Sequence, residues 1–136
     1  MEKNDNEQLL GANILSQLQH KCRKIDEIYN LTKEIGEVLQ RNDSTSRDML
    51  FSMRLDCMVE VDDINQELGR TLEGLSPHSK ERMNILFHTG ELETDIDWEL
   101  SVKKEYERLK SLLYKTIALD KEISLKIAGK DSFYAE

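Results

Sequence analysis

The sequence predicts an all-α fold, an elongated antiparallel helical hairpin or bundle with three long helices and one short helix. Three observations predict it. The 136 residues hold one proline and six glycines, so few positions interrupt a helix. Charged residues make up 34 % of the chain and aromatic residues 6 %, a balance that suits long helices better than a sheet sandwich. Apolar residues recur at three- and four-residue spacing over most of the length, and their 38 % share suits a narrow seam. A chain of this size makes a single helical domain, residues 1–136.

The first helix is expected over residues 6–40, with the residues before Gln8 frayed. Ile14, Leu18, Cys22, Ile25, Ile28, Tyr29, Thr32, Ile35 and Leu39 share one of its faces. Gly36 costs helix stability but admits a close neighbour. Arg41-Asn42-Asp43-Ser44 then forms a polar pivot, in which Asp43 or Ser44 can cap the next helix. That second helix is expected over 45–72, with Leu50, Met53, Cys57, Val61, Ile64, Leu68 and Leu72 on its inner stripe. Phe51, Leu55 and Met58 widen the stripe in the first half, more than one neighbour can cover.

Glu73-Gly74-Leu75-Ser76-Pro77 is the clearest punctuation. Gly74 suits a left-handed C-terminal cap, Ser76 an N-cap and Pro77 the first helical position. A short helix over 77–88 follows, with Met83, Leu86 and Phe87 on its apolar side, and Gly90 ends it. The last helix is expected over 92–128, with Gly129 as its end. Leu92, Ile96, Leu100, Val102, Tyr106, Leu109, Leu113 and Ile117 read as its main stripe. Its first half is the expected cover for the wide face at Leu50–Met58.

Beyond Leu113 a second line, Leu112, Leu119, Ile123 and Ile127, reads as roughly opposite the first, with Ala118, Leu125 and Ala128 filling much of the rest. From Tyr114 onward four lysines balance four acids, so the segment before it carries the whole net charge of −8. A neutral, two-sided apolar tail is the form of a partner-binding or self-associating segment. The candidate partner-binding residues are therefore Leu112, Leu119, Ile123, Ile127, Leu125 and Tyr106. The partner is a protein client or, in the alternative, a second copy in a homodimer. Phe133-Tyr134 near the terminus reads equally as an anchor or as an incidental pair.

A charge of −8 argues against nucleic acid and against an anionic membrane surface. No apolar run reaches the roughly 20 residues of a membrane span, and the start of the chain lacks the pattern of a signal peptide. A cytoplasmic location is expected, and Cys22 and Cys57 fit it as small, reduced core residues. His20 and Cys22 point to different helix faces, His78 and His88 stand too far apart for one ion, and no Glu-x-x-His occurs. No spacing assembles a nucleophile with its base, and no glycine-rich phosphate loop is present. The chain is thus expected to be no enzyme and to hold no metal or cofactor. Glu91, Glu93, Asp95, Asp97 and Glu99 read as a solvated acidic face at the start of the last helix. Trp98 reads as a packing residue at the stripe's margin.

One family resemblance arises around the pivot. Val38-Leu39-Gln40-Arg41-Asn42-Asp43 closes one long helix, and Leu50, Met53, Arg54 and Met58 follow at helical spacing on the next. This resembles the FlgN-type flagellar export chaperones, which are all-helical and acidic, with Arg54 standing where the family tends to have lysine. The resemblance implies a cytoplasmic chaperone or adaptor that keeps hook-associated or other secreted flagellar proteins unassembled before export. It also implies client binding through the last helix, over Tyr106–Ala128 here. On that reading, removing the chain from Leu112 onward leaves a folded hairpin that no longer binds.

Overall fold

The computed structural model describes the backbone of residues 2–135 and the side chains of residues 5–127. Four helices follow one another: α1 (Glu2–Arg41), α2 (Ser44–Glu73), α3 (Pro77–Thr89) and α4 (Asp97–Ala135). Among the described residues there is no strand.

The pivot forms as its residue types require. Asn42 takes a left-handed conformation, φ 55°, which asparagine tolerates better than most residues. Asp43 caps α2, its carboxylate accepting from the Ser46 backbone N–H at 3.1 Å and from the Ser46 hydroxyl at 2.7 Å. α2 then runs back along α1. Arg54 reaches Thr32 near the pivot, the Cys57 thiol donates to Glu27 at 3.3 Å, and Gln17 donates to Thr71 at the far end at 2.9 Å.

α4 runs parallel to α1 in constant register. The Trp98 ring lies on Gly11 and Ile123 lies on Gly36, the same number of residues further along both helices. Both glycines serve this approach: a Cβ at Gly11 would stand 2.5 Å from the Trp98 ring, and one at Gly36 would stand 3.0 Å from Ile123 Cδ1. α1 is the central helix, flanked by α2 on one side and α4 on the other.

α3 fills the space between α2 and α4 at the end far from the pivot. Ser76 caps it, accepting from Ser79 N–H at 3.3 Å, and Pro77 opens it. Glu7 of α1 holds its start, accepting from the Ser76 N–H at 3.2 Å and the Ser79 hydroxyl at 2.7 Å. Met83 and Leu86 of α3 are fully buried in one cluster with Ile14, Leu18, Cys22, Val102 and Leu109. A second, smaller cluster lies at the pivot end, where Ile35, Val38, Leu50 and Ile123 meet.

Several expectations are corrected. α1 begins at Glu2 rather than near residue 6. Gly74 is right-handed, φ −78°, so α2 ends without a left-handed cap; Gly90, φ 72°, is the left-handed one. α4 starts at Asp97 rather than 92. Residues 91–96 lack regular structure because Gly90 turns the chain away and Leu92 is drawn into the core. Thr94 then ties the turn, its hydroxyl accepting from the Ile96 N–H and donating to Glu99 at 2.6 Å. Gly129 lies within α4 rather than ending it: a lone helical glycine costs about 1 kcal/mol and is not a stop. The side chains of Ala128, Phe133 and Tyr134 lie outside the described residues.

The apolar line of α4 is also corrected. Val102, Leu109, Thr116 and Ile123 are all buried and recur every seventh residue. Leu112, Leu119 and Ile127 lie to either side of that seam or on it, not opposite it, and pack against the two clusters. A seam of 3.5 residues per turn drifts against a straight 3.6-residue helix, so one continuous face can look like two. Glu99 is no part of a solvated face: its side chain is 1 % exposed and its carboxylate receives the Arg82 guanidinium.

Candidate protein-binding groove

Where α3 ends, the space it occupied stays open. Phe87, near the end of α3, stacks on Tyr106 with ring centroids 5.3 Å apart, and the Tyr106 hydroxyl donates to the Phe87 carbonyl at 2.9 Å. Two turns and more further along α4 begins a groove of about 550 Å³. Ile25, Ile28 and Thr32 of α1 form its floor. Met58, Val61 and Asp62 form the α2 wall, and Thr116, Ile117 and Lys121 the α4 wall.

One end of the groove is closed by Arg54. Its guanidinium donates to Asp120 of α4 at 2.9 Å and to the Thr32 hydroxyl at 3.3 Å, and lies 5.0 Å from the centroid of the Phe51 ring. It thus spans all three helices. Thr32 is fully buried and satisfied, donating in turn to the Ile28 carbonyl at 2.7 Å. The pivot-end cluster lies beyond this clasp.

Of the exposed apolar residues, Met58 of α2 and Ile117 of α4 line this groove, whereas Met53 lines a separate depression with Leu31 and Glu34 of α1. Met49, Met53, Leu55, Met58 and Val59 of α2 are between 42 and 61 % exposed, and Ile117 of α4 is 52 % exposed. Contrary to the expectation from the sequence, the first half of α4 does not cover the wide face of α2. With Trp98 on Gly11 and Ile123 on Gly36, that half lies beside the start of α1, while Leu50–Met58 stand level with the second half of α4. α4 reaches α2 only further on, at Arg54–Asp120 and in the cluster of Leu50 with Ile123.

The structure separates the six candidate partner-binding residues. Leu112 packs on the larger cluster; Ile123, Leu119 and Ile127 belong to the pivot-end cluster. Tyr106 is engaged with Phe87. Leu125 alone is widely exposed, on the outer side of α4. Ile117, Asp120 and Arg54 were not among the candidates. One signal could have found Ile117: it is one residue off the seven-residue seam at Thr116 and so faces a neighbouring space rather than α1. A second depression, at Glu107, Lys110, Ser111, Tyr114 and Lys115, is lined by α4 alone and has no opposing wall.

Neither thiol is set up as a nucleophile. Burial, with Glu105 nearby, pushes the Cys22 thiol up to about 12, and burial with Glu27 pushes the Cys57 thiol up as well. Among the described residues no three His, Cys, Asp or Glu side chains are placed to hold a metal ion, and no helix is long and apolar enough to cross a membrane. The chain matches no protein-family model, no curated protein and no solved structure.

Proposed function

We propose that the protein is a non-catalytic helical chaperone or adaptor that holds one amphipathic helix of a protein client. The observation that carries the reading is the groove between α2 and α4. Ile25 and Ile28 on its floor and Met58, Val61 and Ile117 on its walls give it an apolar lining between the charged residues Arg54, Asp62, Asp120 and Lys121, and it lies along α4 beyond the end of α3. A client helix seated there would stand where α3 stands below, as a fourth helix on α1. The export-chaperone reading supplies the client class: a secreted flagellar protein, such as a hook-associated one, held in the cytoplasm before assembly. Its support is the helical layout, the acidity and the residues around the pivot. Client contact is moved from the buried line Leu112–Ile127 to Met58, Val61 and Ile117.

Homodimerisation through α4 is the second reading, favoured by the exposure of Leu125 and Tyr114 on its outer side. Ile117→Asp and Leu125→Asp discriminate the two. Under the first reading the tagged wild-type chain retains one stoichiometric protein from its host and Ile117→Asp loses it, with an unchanged circular dichroism spectrum. A chain that sediments as a dimer and is made monomeric by Leu125→Asp supports the second.

A further inference from the structure

The helix-binding reading leaves open what the closed end of the groove recognises. Arg54 stands there with its side chain only 16 % exposed. Both of its hydrogen bonds leave from one nitrogen: Nη1 donates to Asp120 at 2.9 Å and to the Thr32 hydroxyl at 3.3 Å. The N–H groups of Nε and Nη2 have no acceptor among the described residues. That edge of a guanidinium is one a carboxylate takes with two parallel bonds. Arg82 shows the same edge in use: its Nε and Nη2 both donate to the Glu99 carboxylate, at 2.9 and 2.7 Å. Arg54 is the less exposed of the two arginines, 16 % against 24 %, yet its Nε–Nη2 edge meets no carboxylate of the chain. A mostly buried cation is poorly compensated by bonds from one nitrogen alone.

The charged residues of the groove are also spread unevenly along it. Asp62 lies eight residues on from Arg54 along α2, about 12 Å away along the helix axis. Lys121 follows Asp120 directly on α4 and makes no ion pair among the described residues. Of the charged residues that line the groove, the closed end therefore sets Arg54 and Lys121 against Asp120 alone. Packing against Phe51, 5.0 Å from the ring centroid, holds the guanidinium by its face and leaves its edges for hydrogen bonds.

We infer that Arg54 is a carboxylate receptor at the closed end of the groove, and that the client helix fitting it carries Glu or Asp at the end of its apolar stripe that meets Arg54. The inference rests on the helix-binding function proposed above. Ile28, Met58 and Ile117 take the apolar side chains, and the Nε–Nη2 edge takes the acid with two charge-assisted bonds. Nη1 keeps its hold on Asp120 and Thr32, so binding breaks no contact of the clasp. Glutamine in the acid's place offers one oxygen and no charge. Lysine in place of Arg54 keeps the charge but loses the fork.

The test uses the full chain and C-terminally amidated synthetic peptides of about 18 residues, with leucines at i, i+3, i+4 and i+7. Two peptides carry a glutamate at one or the other end of the leucine stripe, so that either direction of seating is covered. A third carries glutamine at both ends, and a fourth is the glutamine peptide with a free C-terminal carboxylate. Affinity is read by fluorescence anisotropy, and contact by the 15N signal of the Arg54 Nε–H. One glutamate peptide is expected to bind about tenfold more tightly than the amidated glutamine peptide, as a charge-assisted pair at a partly hydrated site supplies. It is also expected to shift the Arg54 Nε–H signal, which the glutamine peptide leaves in place. Arg54→Lys should bring the two affinities within about twofold without abolishing binding. The signal is read in the wild-type chain, so that outcome stands even where Arg54→Lys weakens the fold. Equal binding of glutamate and glutamine peptides to wild type overturns the carboxylate receptor and leaves the helix-binding function standing. Binding of no peptide overturns both. A glutamate preference with an unmoved Arg54 signal, or one undiminished in Arg54→Lys, puts the acid elsewhere and overturns the inference. A free-acid glutamine peptide that binds as tightly as the glutamate peptide makes a chain terminus the source and overturns the side-chain assignment. A dimer in sedimentation that the glutamate peptide dissociates makes a second copy the occupant and overturns the inference.

Discussion

The Arg82 guanidinium grips the Glu99 carboxylate through Nε at 2.9 Å and Nη2 at 2.7 Å, with the carboxylate almost wholly out of water. Arg82 Nη2 also donates to the Glu93 carbonyl at 3.2 Å, and the Thr94 hydroxyl donates to Glu99 at 2.6 Å. One pair thus fastens α3, the irregular segment 91–96 and the first turn of α4 together. It holds α3 between α2 and α4, and so sets where the open groove begins.

Removing one partner strands the other. Arg82→Ala leaves a buried carboxylate without its cation, a change that costs about 3–5 kcal/mol in buried pairs. The Arg82 side chain is itself partly exposed, so the low end, about 3 kcal/mol, is expected. Urea denaturation of the variant against wild type checks it. The double variant Arg82→Met, Glu99→Leu should recover most of the loss, since an apolar pair leaves no charge stranded.

The same pair makes stability fall in acid. Burial pushes the Glu99 carboxyl up, but the hydrogen bonds from Arg82 and Thr94 and the guanidinium charge outweigh it. The net result holds the group below its ordinary value of 4.5. Hydrogen bonds from Ser76 hold the Glu7 carboxyl low in the same way. The unfolded chain then binds protons more readily than the folded one. Stability from these groups is complete above 4.5 and is lost as pH falls through their lower folded values. Denaturation midpoints measured from neutral pH down into this range should drop in wild type, and drop less in Glu99→Gln.

Two helical glycines should respond oppositely to alanine. Gly69 on α2 has nothing within 4 Å of a new Cβ, so Gly69→Ala should stabilise by about 0.5–1 kcal/mol through helix propensity. Gly11→Ala gains the same propensity but drives a Cβ to 2.5 Å from the Trp98 ring, which is too close to keep. It should destabilise and alter the fluorescence of Trp98, the only tryptophan. Melting temperature and emission of both variants check the pair.

Truncation before Leu112 should not leave an intact hairpin. It removes Ile123 from the pivot-end cluster and uncovers Ile35, Val38 and Leu50. The single change Ile123→Ala already costs about 2–5 kcal/mol where a buried isoleucine loses its packing. Hydrogen exchange should find the pivot end of α1 and α2 deprotected in the truncated chain, with the cluster around Met83 and Leu86 less affected.

Much of the fold was legible because it rests on local signals. The pivot is written in Asn42 and Asp43, the start of α3 in Ser76 and Pro77, and its end in Gly90. The seam of α1 follows one period from Ile14 to Leu39. The groove was legible only from one side. Phe51, Leu55 and Met58 announce that α2 has more apolar surface than a hairpin covers, but not what lies across from it. The opposite wall depends on α4 running parallel to α1, a register set by Trp98 on Gly11 and Ile123 on Gly36. No periodicity within a single helix encodes that. Glu99 was misread for a similar reason: a carboxylate in an acidic run looks solvated until a distant arginine is folded onto it.

The most direct measurement places a photoreactive benzophenone side chain at position 117 in one version of the chain and at position 125 in another, followed by crosslinking in the host cell. The expected result is a crosslink from position 117 to a helical segment of one client protein, mapped by mass spectrometry, and none to that client from position 125. A client crosslink from position 125 alone, or a crosslink from position 117 only to a second copy of the chain, would contradict the groove as the client site.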